Sequence, residues 1–450
     1  MTKVLLVGSG GREHAIAESI AKSRDAELYS VMSGKNPGIM ACSKRYVVGK
    51  ITDTSFVSSF AVENKVDIAV IGPEAPLVNG VVDALQEKGI DCVGPRRALA
   101  MIEGDKAFCR ALMKKYGIDG LPKCEVFTDP EEASEHIDSA DGVVIKPAGL
   151  TGGKGVQVVG EHLKDKEEAK NYVREIFAKK IGDLQKVVVE EKLDGEEYTI
   201  QAFVDGMNLV PMPCVQDHKR AYDGDLGPNT GGMGSYSDTD HLLPFLDREN
   251  YEKSVKIMTD TVDALRKELG SPYKGILYGQ FLLGVGWDRE DFGPKLVEFN
   301  CRFGDPENMN VLPLLSEGCD PVEIYQGVID GKLSKIKATF EGKATVCKYI
   351  VPASYPGGGK QNEPFNVDEE RVKRLGALLF YANVDMVGQQ LVTTSSRTVA
   401  VLGVADSIEE AEQIAEKATN HFKGNLRHRR DIGTRELVQR RIDHVRSIRP

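Results

Sequence analysis

Apolar runs alternate with amphipathic stretches through the first hundred residues of the chain. Residues 4–7 are an apolar run that ends in glycines, and a helical pattern follows over residues 13–23. Further strand-like runs and helix-like stretches then alternate at residues 27–32, 45–48, 53–63, 68–72, 78–88 and 91–94. Strands that alternate with helices are typical of a parallel sheet with helices on both faces. We therefore predict a Rossmann-like domain over residues 1–103.

The pattern changes after Gly104, where longer elements begin. Helices are predicted over residues 106–116, 166–178, 247–269 and 407–420. Strands are predicted near residues 124–127, 142–146, 155–159, 187–191, 197–204, 209–213, 275–283, 295–299, 344–351 and 397–404. Residues 216–237 form a polar, glycine-rich stretch without a predicted element. We predict an α/β and α+β multidomain chain, with a second domain over residues 104–335 that carries a mobile lobe at about 124–195, and a small β-rich C-terminal domain over residues 336–450.

Composition and charge narrow the class of protein. A chain of 450 residues exceeds the size of one hydrophobic core, roughly 250–300 residues, and so favours several domains. The formal net charge of −10 argues against nonspecific nucleic-acid binding. The sequence has no C-x-x-C pair, no apolar run of membrane-spanning length and no signal-peptide pattern at its N-terminus. We expect a cytoplasmic protein without nucleic-acid or membrane partners.

Arginines cluster near the C-terminus of this otherwise acidic chain. They are Arg427, Arg429, Arg430, Arg440, Arg441, Arg446 and Arg449. Acidic residues such as Asp431 and Asp443 interrupt the cluster, which favours a solvated helix face over an RNA site.

Gly8, Gly10 and Gly11 form a glycine-rich loop between the first predicted strand and the first predicted helix. Such a loop turns backbone amides and the start of a helix toward an anion. A dinucleotide site would require a third glycine at position 13 and an acidic residue after the second strand, and both are missing. The loop predicts either a site for the phosphate of another ligand or a tight turn without a ligand. In the loop at residues 72–77, Glu74 is placed either to bond a ligand hydroxyl or to cap the next helix.

A lysine and a second glycine-rich loop follow the strand predicted at residues 142–146. Lys146 stands at the strand end, and Lys154 lies within the loop at residues 149–155. Glycines let the backbone approach a polyphosphate, and lysines neutralise its charge, although a plain hairpin turn has the same composition. The acidic segment at residues 190–197 also follows an apolar strand. It is suited either to bonding adenine and ribose or to forming a solvated charged face.

Glu298 and Asn300 are two residues apart on a predicted strand, so both side chains point to one face. Their oxygens are hard ligands suited to Mg²⁺ held between protein and phosphates. Gln280, on the preceding strand, is placed to face them. Arg302 continues the same face and could hold a carboxylate or phosphate.

These segments, taken in order, resemble the ATP-grasp superfamily. They are a lysine with a glycine loop, then E-x-x-L-x-G-x-E, then E-x-N-x-R. Residues 8–14, 72–77, 103–108, 146–156, 216–234 and 298–307 together are similar to the glycinamide ribonucleotide synthetase family. The glycine loop departs from the common family form, because it reads Lys-Pro-Ala-Gly-Leu-Thr-Gly-Gly in place of Lys-Ala-Asp-Gly-Leu-Ala-Ala-Gly.

The resemblance implies an ATP-grasp fold and a ligase of purine synthesis. Such a ligase joins glycine to 5-phosphoribosylamine, using ATP and Mg²⁺ or Mn²⁺, and releases glycinamide ribonucleotide, ADP and phosphate by way of glycyl phosphate. We expect a monomer, and transient contact with the enzyme that supplies the ribosylamine stays open. Two alternatives also stay open: a carboxylating ATP-grasp enzyme and a non-catalytic nucleotide sensor.

The resemblance also implies roles for individual residues. The nucleotide would be bound by Lys106, Lys146, Gly152, Gly153, Lys154, Gly155, Glu190, Glu191 and Glu197. The metal ligands would be Gln280, Glu298 and Asn300. The substrates would be bound by Gly10, Gly11, Glu74, Pro76, Asn229, Gly231, Gly232 and Arg302. Arg302, Lys146 and Asp217 would take part in catalysis.

Overall fold

The computed structural model describes residues 1–152, 155–358 and 361–449. Its N-terminal part is the predicted parallel sheet, in the order β3-β2-β1-β4-β5. The strands are β1 (Thr2–Val7), β2 (Ala26–Met32), β3 (Ser43–Val48), β4 (Ile68–Ile71) and β5 (Asp91–Val93). The helices are α1 (Gly11–Ala21), α2 (Pro37–Cys42), α3 (Thr54–Glu63), α4 (Glu74–Val78), α5 (Val81–Gln86) and α6 (Arg97–Gly104). The helix predicted over residues 78–88 is present but shorter, as α5, because Gly80 adopts a left-handed φ of 83° and separates it from α4.

A four-stranded antiparallel sheet with two covering helices forms a lobe between residues 124 and 191. The lobe contains β6 (Cys124–Phe127), α8 (Pro130–Ser139), β7 (Val143–Pro147), β8 (Gln157–Val158), α9 (Lys166–Lys179) and β9 (Val187–Glu191), and it follows α7 (Lys106–Tyr116). Its strands pair in the order β6-β9-β7-β8. Ile137, Val173, Ile176 and their neighbours form a hydrophobic core of its own for this lobe.

A second four-stranded antiparallel sheet, with two strands of 12 residues, lies beside this lobe. Its strands are β10 (Asp194–Asp205), β11 (Leu209–Pro211), β16 (Lys274–Val285) and β17 (Gly293–Asn300), paired in the order β11-β10-β16-β17. The helix α10 (Arg248–Leu269) packs against β16 and β17. The side chains of β16 are buried along nearly the whole strand, since α10 and β5 pack against it.

The β-rich C-terminal part recruits strands from the middle of the chain. The polar stretch at residues 216–237 contains β12 (Gln216–Asp217), β13 (Arg220–Tyr222), β14 (Leu226–Asn229) and β15 (Gly234–Ser237). β12 and β15 join the sheet β12-β15-β18-β23-β20. The sequence did not predict these strands because they are short, and the partner of β15 is β18, more than a hundred residues later. The predicted division at residue 336 stays a prediction.

The remaining elements complete this C-terminal part. The helices are α11 (Glu307–Val311), α12 (Pro321–Asp330), α13 (Glu369–Arg374), α14 (Ile408–Thr419) and α15 (Arg435–Ile448), with short 3-10 turns at Leu312–Leu314 and Leu333–Lys335. The strands are β18 (Ala344–Pro352), β19 (Asn366–Val367), β20 (Leu378–Tyr381), β21 (Val384–Val387), β22 (Gln390–Thr393), β23 (Val399–Ala405), β24 (Phe422–Lys423) and β25 (Leu426–Arg427). Among the described residues, no helix has both the length and the apolar composition that a membrane crossing requires.

The arginines near the C-terminus do not all form a solvated face. Arg429 is fully buried and pairs with Asp225 at 3.0 Å and Asp431 at 2.8 Å. Arg441 is mostly buried and also pairs with Asp225. The solvated face predicted for these two residues is wrong, because acidic residues far away in sequence fold against them.

Candidate active site

A cleft of about 850 Å³ lies where the N-terminal sheet, the lobe and the long antiparallel strands meet. Most of the residues predicted to bind ligands line it. These are Gly10, Glu74, Lys106, Lys146, Gly152, Glu190, Glu191, Glu197, Asp217, Asn229, Gly231, Gln280, Glu298, Asn300 and Arg302. The carboxyl ends of β1 and β4 lead into this cleft, as expected for an open parallel sheet.

Other predicted residues lie beside the cleft without lining it. Gly11 begins α1 and packs against Tyr349, and Pro76 is buried inside α4. Gly232 packs so closely against the Asp217 carboxylate that a Cβ atom would not fit there. The Gly155 amide donates to the Thr151 hydroxyl at 3.2 Å. The ligand roles given to these four residues stay predictions. Gly153 and Lys154 lie outside the described residues.

The predicted metal ligands share one face of the β16–β17 hairpin. Glu298 is the register partner of Gln280. The Asn300 amide donates to the Glu298 carboxylate at 3.4 Å, and Arg302 donates to the Asn300 amide oxygen at 3.0 Å. This arrangement agrees with the two-residue spacing read from the sequence. The described residues contain no group of three or more His, Cys, Asp and Glu side chains that could hold a metal ion.

Three lysines surround the partly buried Glu298. Burial disfavours the charged form of this carboxylate, but the positive charges of Lys219, Lys106 and Lys146 outweigh it and hold its pKa below the usual value. Burial lowers the pKa of Lys106, with nearby Lys146 acting in the same direction. Lys146 and Lys219 also pair with carboxylates of the cleft, whereas Lys106 donates to the backbone oxygen of Gly149 at 3.2 Å. A cluster of cations held in this way is suited to a polyanion.

Three buried charged residues, Arg110, Lys146 and Glu190, form an ion-pair triad that lines the cleft. Glu190 accepts from Arg110 at 2.6 Å and pairs with Lys146 at 2.5 Å. Despite burial, these two cations lower the pKa of Glu190 to about 2. The Glu191 carboxylate accepts instead from the backbone amides of Lys123 and Trp287, at 2.8 and 3.1 Å. The sequence did not reveal Arg110, because its partner lies eighty residues later and no local pattern marks the pair.

Glu197 lies between the triad and the metal ligands. Its carboxylate accepts from the Gln280 amide and pairs with Lys219 at 3.3 Å. Although burial disfavours its charged form, Lys219 has a raised pKa because Glu197 and Glu298 are close. Lys219 lies in the segment at residues 216–234 that resembles the family, but the sequence assigned it no role, and its place in the site follows from the fold.

Two carboxyl groups of the cleft, the partly buried Asp217 and the buried Glu307, lie close enough to influence each other's charge. Burial raises the pKa of both groups, and for Asp217 the neighbouring Glu307 charge raises it further. Asp217 accepts from the His218 amide at 2.7 Å, and Glu307 accepts from the Tyr278 hydroxyl at 2.8 Å. A cationic ligand would relieve the repulsion between them. Glu307 was not among the predicted site residues, although the motif at residues 298–307 ends on it.

At the N-terminal end of the cleft, carboxylates of the protein itself already accept hydrogen bonds from the donor groups that line it. The Gly10 amide donates to Glu13 at 2.6 Å, and Glu13 also pairs with Arg12 at 2.6 Å. The amide predicted to meet a ligand phosphate is therefore satisfied within the loop.

Arg302 is also held between internal carboxylates at this end. It lies between Glu74 and Glu103, at 3.2 Å from each. The Glu74 carboxylate contacts this arginine. The N-cap residue of α4 makes no side-chain hydrogen bond to the start of the helix. The positive charge of Arg302 outweighs burial and lowers the pKa of Glu74.

Arg397 is a further cleft residue that the sequence did not indicate. It donates to the backbone oxygens of Gly231 and Gly232 and pairs with Asp305 at 3.2 Å. It therefore joins the C-terminal part to the glycine turn beside Asn229. In the sequence it is a single arginine before β23, and no local pattern marks it as a site residue.

Models of three domains of one protein family match most of the chain. Models of the phosphoribosylglycinamide synthetase N domain, ATP-grasp (A) domain and C domain match residues 2–103, 104–308 and 345–435. The chain is 52% identical over 448 residues to a phosphoribosylamine–glycine ligase of Methanothermobacter thermautotrophicus, covering 99% of this chain and 100% of that protein. It is 50% identical over 456 residues to the protein of the same name from Methanopyrus kandleri, covering all of both.

Solved structures agree with the family match. A crystal structure of a phosphoribosylamine–glycine ligase from Thermotoga maritima has a TM-score of 0.79 at 29% identity, covering 96% of this chain and 100% of that one. The biotin carboxylase domain of a 2-oxoglutarate carboxylase from Hydrogenobacter thermophilus has a TM-score of 0.71 at 14% identity, over 99% of this chain and 94% of that one. The second likeness concerns the fold alone. The ATP-grasp fold and the resemblance found in the sequence are confirmed, and the chain belongs to the phosphoribosylglycinamide synthetase family.

Proposed function

We propose that this protein joins glycine to 5-phosphoribosylamine at the expense of ATP, giving glycinamide ribonucleotide, ADP and phosphate. The observation that carries the proposal is the set of three lysines around Glu298 beside the carboxyl pair Asp217 and Glu307. The first group suits a polyphosphate, and the second suits an ammonium group. The names of the relatives at about half identity support the same reaction.

The nucleotide would lie between the lobe and the β16–β17 hairpin. Lys106 and Lys146 would contact its phosphates, the backbone after Glu190 would bond adenine, and Glu197 would bond the ribose. Lys146 already lies at 2.5 Å from Glu190, so its charge is fixed in place before a nucleotide arrives. The lobe has its own core, which supports its proposed movement over the nucleotide as a unit.

Residues Gln280, Glu298 and Asn300 fit a divalent cation. Their oxygens are hard donors, and the lowered pKa of Glu298 keeps one of them charged. We propose Mg²⁺ or Mn²⁺, with further oxygens supplied by the phosphates. When bound, the cation would neutralise charge on the transferring phosphoryl group.

Glycine would be held with its ammonium group between Asp217 and Glu307. A glycine carboxylate oxygen then bonds to the γ-phosphorus while the bond to ADP breaks, giving glycyl phosphate. The ribosylamine nitrogen next bonds to the glycyl carbonyl carbon, loses a proton, and phosphate leaves with the carbon–oxygen bond electrons. Phosphoryl transfer depends on positioning and charge, so no protein nucleophile is required.

The phosphoribosyl group would lie at the N-terminal end of the cleft. Gly10 and Glu74 line one side of it, and Asn229 and Gly231 line the other. We further propose that the protein acts as a cytoplasmic monomer and that residues 1–103, 104–335 and 336–450 are its domains. Transient contact with the enzyme that supplies the ribosylamine would limit loss of this unstable substrate.

The test is ADP release by the purified protein with ATP and Mg²⁺, with glycine and freshly generated 5-phosphoribosylamine added singly and together. Release that requires both, with a product mass of glycinamide ribonucleotide, supports the proposal. Release that ignores glycine but depends on bicarbonate would replace it with a carboxylating reaction. ATP binding without release in any mixture would replace it with nucleotide sensing.

A further inference from the structure

The C-terminal helix α15 reaches the wall of the nucleotide end of the cleft. The family C domain match ends at residue 435, and α15 spans Arg435–Ile448, so nearly all of the helix lies beyond the matched region. Arg441 and His444 of this helix nevertheless line the cleft. The helix packs against β10, the strand that carries Glu197.

Arg441 and His444 hold two acidic residues at the start of β10. The His444 ring nitrogens lie at 2.7 Å from Glu196 and 3.1 Å from Asp194. Arg441 lies at 3.3 Å from Glu196 and at 2.5 Å from Asp225. Glu196 is only 6% exposed, so its carboxylate depends on these partners for the stability of its charged form.

A hydrogen-bonded glutamine connects this cluster to the cleft side of β10. The Gln216 amide donates to the Glu196 carboxylate at 3.2 Å and to the backbone oxygen of Glu197 at 3.0 Å. The Tyr236 hydroxyl donates to the Gln216 side chain at 2.6 Å, which fixes the orientation of the amide. One amide group thus holds both the Glu196 carboxylate and the Glu197 backbone.

The two glutamates are neighbours on one strand and point to opposite faces. Glu196 is fixed from the α15 side, whereas Glu197 meets Gln280 and Lys219 on the other side. A long strand with a glycine at position 195 has limited rigidity of its own at this point. The position of the Glu197 carboxylate thus depends on α15.

We propose that Arg441 and His444 are positioning residues that hold the Asp194–Glu197 segment in place for nucleotide binding. The inference rests on the proposed function, since it takes Glu197 to bond the ribose of ATP. Neither residue contacts the reacting atoms. Their loss changes the affinity for nucleotide more than the rate of the chemical step.

The experiment compares Arg441→Ala with Arg446→Ala in the full chain. Arg446 lies on the same helix with its side chain 74% exposed, so its removal controls for loss of an arginine from α15. We expect Arg441→Ala to weaken ATP binding, measured by calorimetry, by about tenfold and to raise the KM for ATP by a similar factor. The KM for glycine should stay within about twofold of that of the unsubstituted protein. Arg441→Lys keeps the charge and should restore part of the affinity, whereas Arg446→Ala should bind ATP as the unsubstituted protein does.

Three outcomes would overturn the inference. They are equal ATP affinity in Arg441→Ala and Arg446→Ala, equal rises in KM for every substrate, or a fall in kcat without a change in ATP affinity. If Arg441→Ala fails to fold, His444→Gln tests the same cluster with a smaller change, and unchanged ATP affinity there is equally decisive. Calorimetry with ATP alone needs no acceptor, so it tests the inference even if glycine-dependent ADP release fails.

Discussion

The two ends of the cleft bring polar groups together in opposite ways. At the nucleotide end, Lys106, Lys146 and Lys219 lie around Glu298, and neighbouring carboxylates hold Lys146 and Lys219 in place. At the N-terminal end, the Gly10 amide already meets Glu13, and Arg302 lies between two carboxylates. One end is prepared for an anion, whereas the other end is satisfied without a ligand.

This difference implies different modes of binding. A polyphosphate entering the nucleotide end meets lysines that carboxylates already hold in place, so the cations are preorganised for it. A ligand at the N-terminal end must replace internal hydrogen bonds or use groups that remain accessible. Variants at the nucleotide end should therefore have the larger effects, and those at the N-terminal end should mainly affect the acceptor substrate.

The largest expected effect is that of Glu298→Gln. The substitution keeps the shape but removes the charge at the centre of the three lysines. We expect kcat at saturating Mg²⁺ to fall by more than about 100-fold, because the cation contributes several kcal/mol of charge stabilisation. Glu290→Gln, on the exposed loop before β17, removes a carboxylate from the same hairpin and should leave kcat unchanged. Near-normal kcat in Glu298→Gln would refute the metal assignment.

Lys146→Met comes next in size. It removes one cation from the polyphosphate region, while Glu190 keeps its pair with Arg110 at 2.6 Å. We expect the KM for ATP to rise by about 10- to 100-fold in steady-state kinetics. Lys179→Met, which removes a lysine in an exposed pair with Glu175, is the matched control in the same lobe. If both kcat and KM are unchanged, Lys146 serves the fold alone.

Arg302→Lys tests the N-terminal end. Lysine cannot bridge Glu74 and Glu103 as the arginine fork does. We expect the KM for the ribosylamine to rise by about fivefold to tenfold. The KM for ATP should rise less, through the hydrogen bond from Arg302 to Asn300. An equal rise in both constants would remove the distinction between the two ends of the cleft.

The nucleotide end was predictable from sequence to a greater extent than its surroundings. The two-residue spacing of Glu298, Asn300 and Arg302 determines their common face, and a strand only has to form for that prediction to hold. Arg110 and Arg397 could not be found, because each meets its partners across large sequence separations. The short strand β15 was missed for the same reason, since it pairs with distant β18, and β12 in turn pairs with β15.

The smallest expected effect concerns the helix that supports the N-terminal end. His14 on α1 accepts from the Tyr381 amide at 2.8 Å, and burial lowers its pKa to about 4 from an ordinary 6.5. The unfolded chain therefore binds a proton more readily than the folded one, so stability is full above about pH 6.5 and declines as pH falls toward 4. Between about pH 6.5 and 5.5, this histidine alone should reduce the free energy of unfolding by about 1 kcal/mol.

Denaturant unfolding of His14→Gln across this pH range isolates that contribution. Glutamine can still accept from the Tyr381 amide but does not titrate, so the variant should lose less stability on acidification than the unsubstituted protein. The buried His218, whose pKa burial lowers to about 3, is present in both proteins and cancels in the difference. His241→Gln makes the same change elsewhere and should keep the original pH dependence, because His14 is intact. Identical slopes for His14→Gln and the unsubstituted protein would mean that His14 is not buried in its neutral form. The contact between α1 and β20 would then be looser than the 2.8 Å hydrogen bond implies.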